Sequence, residues 1–129
     1  MESASIKKYV AEFIGTMVLV VFGCGTAAAV GCNGASVDAA YVLTALAFGL
    51  SIVAMAYSIG NVSGCHVNPA VSLGVFLSGK MTAKDFVGYL VAQFLGGIVG
   101  AAIIGVLLGW DCGFGANGLY QGNVGASLL

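Results

Sequence analysis

Three apolar runs, at about residues 9–30, 39–59 and 86–109, are each long enough to cross the hydrocarbon core of a bilayer, which takes about 20 helical residues at 1.5 Å rise. That feature sets the expected fold class, an all-α integral membrane protein. Composition agrees, with 60% hydrophobic and 7% charged residues where a soluble domain carries about 25% charge. The 4 basic and 5 acidic residues leave a net charge of -1, too little for a cationic surface that would hold nucleic acid or a polybasic patch for lipid headgroups. The lipid bilayer is the expected surrounding, and no nucleic acid partner is expected. The 21 glycines follow no short fixed period, which excludes a collagen-like chain and suits helices packed backbone against backbone.

The links between the runs differ in kind. Residues 31–38 make a short polar connection, whereas about 60–78 holds a second apolar piece, 67–77, about half a membrane thickness long. Residues 110–129 are rich in Gly and Asn (Gly113, Gly115, Asn117, Gly118, Gly122, Asn123) and read as a surface loop, so that 1–109 forms one unit and 110–129 an external connection. Lys7 and Lys8 precede the first run and Lys80 and Lys84 the third, so three spans put every basic residue on one side. The positive-inside rule makes that side cytoplasmic, with the N-terminus inside and 110–129 outside. Lys7 and Lys8 before an apolar run superficially resemble a signal peptide, but Glu12 interrupts the run and it continues too far, so the first helix is read as retained. Cys24, Cys32, Cys65 and Cys112 occur singly beside one His, a poor set for zinc or thioredoxin-type chemistry, and no metal or cofactor is expected. Cys32 and Cys112 both fall in expected external loops, where a disulfide and a pair of free thiols are equally open.

The chemistry concentrates in Ser63-Gly64-Cys65-His66-Val67-Asn68-Pro69-Ala70-Val71-Ser72. Asn68 is a favoured N-cap and Pro69 sits where proline is best tolerated, the first helical position, so a helix should start here. Ahead of it, Gly60-Asn61 and Ser63-Gly64 read as extended or turn-forming, and such backbone at membrane depth survives only where it is buried in protein or lines a cavity. A half-helix of about ten residues, ~15 Å long, entering from the cytoplasmic side brings its dipole-positive N-terminus near the bilayer midplane, where it repels cations. There Asn68 can cap through its oxygen and still offer N–H donors to a passing water, with the carbonyls of Gly64, Cys65, His66 and Val67 as a ladder of acceptors. An isolated Asn-Pro is ordinarily a turn or a helix start in a soluble loop; a half-span set between full spans favours the pore. Glu12 is an acid inside a span, costly and by default functional or structural-polar. Support of the loop and exposure near the cytoplasmic boundary are its two readings.

Ala11-Glu12-Phe13-Ile14-Gly15-Thr16 in the first run, Ala47-Phe48-Gly49-Leu50 in the second, the loop from Ser63 to Val71, and Gln93 with Gly96-Gly97 in the third carry a specific resemblance. Over about residues 9–109 the chain resembles the N-terminal half of the major intrinsic protein family, the aquaporins and glycerol facilitators, and within it bacterial water channels. The resemblance implies an aquaporin-like half repeat of three transmembrane helices plus one re-entrant half-helix. It makes Asn68 the central water donor, Pro69-Ala70 the junction where two half-helices meet, and Glu12 a buried carboxylate that holds the loop carbonyls in place. It puts Phe48 at the narrow aromatic constriction, with Ile52 one helical turn on continuing an apolar wall; by periodicity alone Phe48 reads as packed core. Histidine is the side-chain type that ordinarily switches charge near neutrality, so His66 suggests a pH gate, whereas the resemblance implies a backbone carbonyl and a packed ring. Cys65 stands where relatives commonly have glycine, so its thiol either approaches the pore, conferring mercurial sensitivity, or fills space beside a helix. Gly96, Gly100, Ala101, Gly105 and Gly109 make the small-residue face of a close helix contact.

Channels of this kind are built from two inverted repeats, and this chain contains one. The second repeat is expected to supply the other Asn-Pro-Ala turn and a constriction Arg. The leading expectation is a passive channel for water in the plasma membrane, homotetrameric in full-length form. A glycerol or small neutral solute facilitator and a non-conducting half-channel assembly partner are the alternatives. The lysine bias argues against an antiparallel homodimer. No enzyme is expected, since nothing resembles a nucleophile with its base, a phosphate loop or a metal cluster.

Overall fold

The computed structural model describes residues 2–32 and 37–116, most of them helical. The first rod runs through α1 (Glu2–Leu19), a π turn (Val20–Cys24) and α2 (Gly25–Val30). It stops at Gly31, whose left-handed φ of 67° glycine adopts at no steric cost. Helix α3 (Ala39–Ser63) starts where the Asp38 carboxylate accepts from Tyr41 N at 3.0 Å. Asn68 caps α4 (Pro69–Leu77), and Thr82 Oγ1 caps α5 (Ala83–Leu108) by accepting from Asp85 N at 3.1 Å.

Among the described residues, three helical stretches are long and apolar enough to cross a membrane: Ser5–Val30, Ala39–Ser63 and Ala83–Leu108. The second corrects the sequence reading, because Gly60, Asn61 and Ser63 are helical and the chain turns only at Gly64, with φ 88°. A glycine inside a helix costs roughly 1 kcal/mol. Tertiary bonds at the helix end outweigh it: Ser63 Oγ donates to Glu12 at 2.7 Å, and the Ser63 carbonyl accepts from Tyr89 OH at 2.6 Å.

The tightest packing joins α1 to α5. Gly96 lies against the Phe13 carbonyl, and Gly100 against Val20 and the Met17 carbonyl, so the two backbones nearly touch. Helix α3 leans on the first rod by one edge and buries Ser51 and Ser63, leaving Leu43, Leu46, Leu50, Val53 and Tyr57 exposed. In lipid such apolar exposure carries no hydrophobic penalty.

Lys8, Gly60, Gly64, Lys80 and Asp85 line one cavity of about 270 Å³. The chain therefore leaves α3, dips into the bundle, and returns along α4 to the end it left, which is the re-entrant half-helix. Phe76 stacks on Phe86 with centroids 4.9 Å apart, fastening the outer end of α4 to α5. At the same end Tyr9 OH donates to Asp85 Oδ1 at 2.8 Å and Lys8 Nζ lies 3.9 Å from Asp85 Oδ2. Of the external stretch expected at 110–129, the residues up to 116 are described, with a short 3-10 turn at Gly113–Gly115; residues 117–129 and 33–36 lie outside the described residues. Cys32 and Cys112 are free thiols.

Candidate functional site

Glu12 lies on α1 with 0% of its surface exposed, and its carboxylate is surrounded by donors. Oε1 accepts from Ser63 Oγ at 2.7 Å and His66 N at 2.9 Å; Oε2 accepts from Val67 N at 2.7 Å and Gln93 Nε2 at 2.8 Å. A carboxylate offers about four acceptor positions, and here each has a donor. Bonds of this charge-assisted kind are roughly twice as strong as neutral ones, and they gather α3, the loop and α5 on one residue of α1.

Glu12 meets the loop at its amides rather than at its carbonyls. A carboxylate has no proton to give, so it takes the amides instead. In a trans peptide the C=O points opposite to the N–H of the next residue. Binding His66 N and Val67 N therefore turns the carbonyls of Cys65 and His66 away from Glu12. The acid acts on the carbonyls through the peptide planes.

The loop so held is strained. Cys65 and Val67 have φ of 51° and 43°, a region where a β-branched residue is a genuine outlier. Such residues cost on the order of 1–3 kcal/mol each and persist only where the surroundings over-determine them. The Glu12 bonds supply that determination, with Ser63 Oγ also accepting from Cys65 N at 3.1 Å. Val67 is buried against Gly15, where a Cβ would fall 2.6 Å from its Cγ1.

Asn68 Oδ1 accepts from Ala70 N at 2.8 Å, and the carboxamide nitrogen has no hydrogen-bond partner among the described residues. Its side chain is exposed at the inner end of α4, while Pro69 is partly covered and Ala70 exposed. One turn further on, Ser72 is fully buried and stands 3.0 Å from His66 Nδ1 and 3.0 Å from Gln93 Nε2. The His66 ring also meets Tyr89 edge-on, with centroids 5.1 Å apart. Phe48 and Ile52 belong to a different neighbourhood on α3: the Phe48 ring lies on Gly23 of the π turn, and Ile52 is 47% exposed. Among the described residues no three His, Cys, Asp or Glu side chains gather as a metal ion would need.

Ser63, Ser72, Tyr89 and Gln93 complete the network, and sequence reasoning had given none of them a role. Gln93 and Ser72 did carry a signal, as polar side chains inside apolar helices that seek protein partners. Tyr89 carried none, since nothing local to a tyrosine on an apolar helix tells which distant carbonyl its hydroxyl reaches.

With that geometry in view, the comparisons with known proteins are specific. Residues 1–123 match the family model described as Major intrinsic protein. Aquaporin Z of Brucella melitensis is 44% identical over 120 residues, covering 93% of this chain and 52% of that protein. Aquaporin Z of Rhodopseudomonas palustris is 43% identical over 120 residues, covering 92% of this chain and 50% of its own length. The chain thus spans about half the length of the curated relatives it matches. The X-ray structure of the aquaglyceroporin from Plasmodium falciparum superposes with a TM-score of 0.69 at 32% identity, covering 80% of this chain and 42% of that one. An integral membrane protein of three apolar helices and one re-entrant half-helix, the chain belongs to the major intrinsic protein family.

Proposed function

We propose that this chain forms the first half of a passive water channel in the plasma membrane, with its N-terminus cytoplasmic. One observation carries the reading: Asn68 spends its oxygen on capping α4, and its N–H donors have no partner among the described residues at the inner end of a half-helix. Residues 64–78 then form the re-entrant element of a repeat spanning 1–109, and 110–129 leads outside. Water passing Asn68 receives donors at the midplane and acceptors from the carbonyls of Gly64, Cys65, His66 and Val67 on the approach. That reversal of polarity, together with the positive end of α4, orients water and breaks a proton wire. Pro69 and Ala70 form the junction with the facing half-helix, Phe48 and Ile52 one apolar wall of the constriction, and Glu12 the support beneath the loop. The full assembly is a homotetramer with a pore in each subunit.

Support for water comes from the two relatives named aquaporin Z. The solved neighbour is an aquaglyceroporin, which favours glycerol or a similar neutral solute as the second reading. The test is stopped-flow light scattering on phosphatidylcholine vesicles carrying the full polypeptide as its gene encodes it. Osmotic water flux above that of empty vesicles, with little glycerol flux, is expected; water flux equal to empty vesicles would reject the channel. Asn68→Asp refines the test, because aspartate caps as well as asparagine. It should fold, lose water flux and admit cations.

A further inference from the structure

The Phe48 ring is seated on Gly23 by the lack of a side chain there. A Cβ built on Gly23 would fall 2.5 Å from Cε1, 2.6 Å from Cδ1 and 2.8 Å from Cζ of that ring. Carbon atoms in contact rest about 3.5–4.0 Å apart, so any residue larger than glycine must move the ring by about 1 Å. The atoms met are the end of a side chain rather than backbone, so the ring yields while the helices stay. The situation at Gly96 is the opposite, since a Cβ there meets the Phe13 carbonyl.

Two further features set Gly23 apart. Its backbone φ lies outside the left-handed region that favours glycine, so conformation does not demand glycine here. It also belongs to the π turn Val20–Cys24, where it is the buried residue. Such turns widen a helix by one residue and occur frequently at functional sites. The widened turn presents bare backbone to α3 at the level of Phe48, and the ring, covered on that side, is only partly buried.

We infer that Gly23 is a positioning residue for selectivity, holding the Phe48 ring back against the first rod and so setting the width of the constriction. The inference rests on the proposed constriction role of Phe48. A shift of about 1 Å is large beside a water molecule, whose contact distance to its neighbours is ~2.8 Å.

The test compares wild type, Gly23→Ala, Phe48→Ala and the double variant, each in the full polypeptide, in phosphatidylcholine vesicles, per unit of folded protein. Gly23→Ala should lower water flux by about tenfold or more, the effect of a modest overpacking carried into the barrier. Phe48→Ala should raise the glycerol-to-water flux ratio. The double variant should match Phe48→Ala, because no ring remains for the methyl group to push. Gly23→Ala flux within about twofold of wild type, or a double variant as low as Gly23→Ala, overturns the positioning role. If Phe48→Ala leaves the ratio unchanged, the constriction reading itself fails and the inference falls with it. Should Gly23→Ala not accumulate, recovery in the double variant supports the inference, and failure of both overturns it, since the group in the way is then something other than Phe48.

Discussion

The loop before Asn68 and the ring of Phe48 are placed by opposite means. The loop is pulled into a strained path by a buried carboxylate that takes four hydrogen bonds, from Ser63, His66, Val67 and Gln93. The ring is let into its position by a glycine that offers nothing to touch until a methyl group is added. Directional bonds resist change in every direction and fail steeply when one partner is lost. A steric seat fails in one direction only, toward the larger side chain. Variants on the polar side should therefore cost folded protein, and those on the steric side should alter passage with the fold intact.

The largest effect is expected at Glu12. Glu12→Ala leaves the His66 and Val67 amides and the Ser63 hydroxyl without their acceptor, and the Gln93 amide with Ser72 alone, at ~1–3 kcal/mol for each buried group left unpaired. The sum is comparable to a whole domain's stability of ~5–15 kcal/mol, so little folded protein should be recovered. Glu12→Gln keeps the shape but turns an NH₂ toward donors, and its thermal midpoint in detergent should fall between those of Glu12→Ala and wild type. A Glu12→Gln midpoint equal to wild type would show that the carboxylate charge is not what holds the loop.

Gly96→Ala comes next, at ~1–3 kcal/mol, because the added carbon meets the Phe13 carbonyl, which cannot swing aside. This sharpens the comparison with Gly23→Ala, which meets a movable ring: the first should lower the melting temperature and the second chiefly the flux. Equal losses of stability at the two glycines would remove the distinction.

Tyr89→Phe takes away the hydroxyl bonded to the Ser63 carbonyl, at about 1 kcal/mol, and should loosen the end of α3. Tyr9→Phe is the smallest, about 0.5 kcal/mol, because its bond to Asp85 lies at the partly exposed rim beside Lys8. Melting curves of the two variants should keep that order.

The same contrast explains what was legible in the sequence. Long apolar runs announce helices of membrane length because the bilayer leaves the backbone few choices, and Asn68-Pro69 announces a helix start because capping is local. Glu12 stands out as an acid among apolar residues, although its partners, 51 to 81 positions away, are fixed only by the fold. The end of α3 is not legible in the sequence, because Gly60 and Asn61 look locally like turn formers while Tyr89 and Glu12 decide the matter from a distance. Gly23 was illegible for a different reason. A glycine in an apolar helix looks the same whether a ring, a carbonyl or lipid lies on it, and a π turn leaves no local mark in the sequence.

Hydrogen exchange at single amides tests most directly whether Glu12 pins the loop. In the full polypeptide, the His66 and Val67 amides should exchange slowly in wild type and rapidly in Glu12→Gln, with amides in the middle of α5 unchanged. Rapid exchange at His66 and Val67 in the wild-type protein would contradict the pinning and leave the strained path of the loop without a cause.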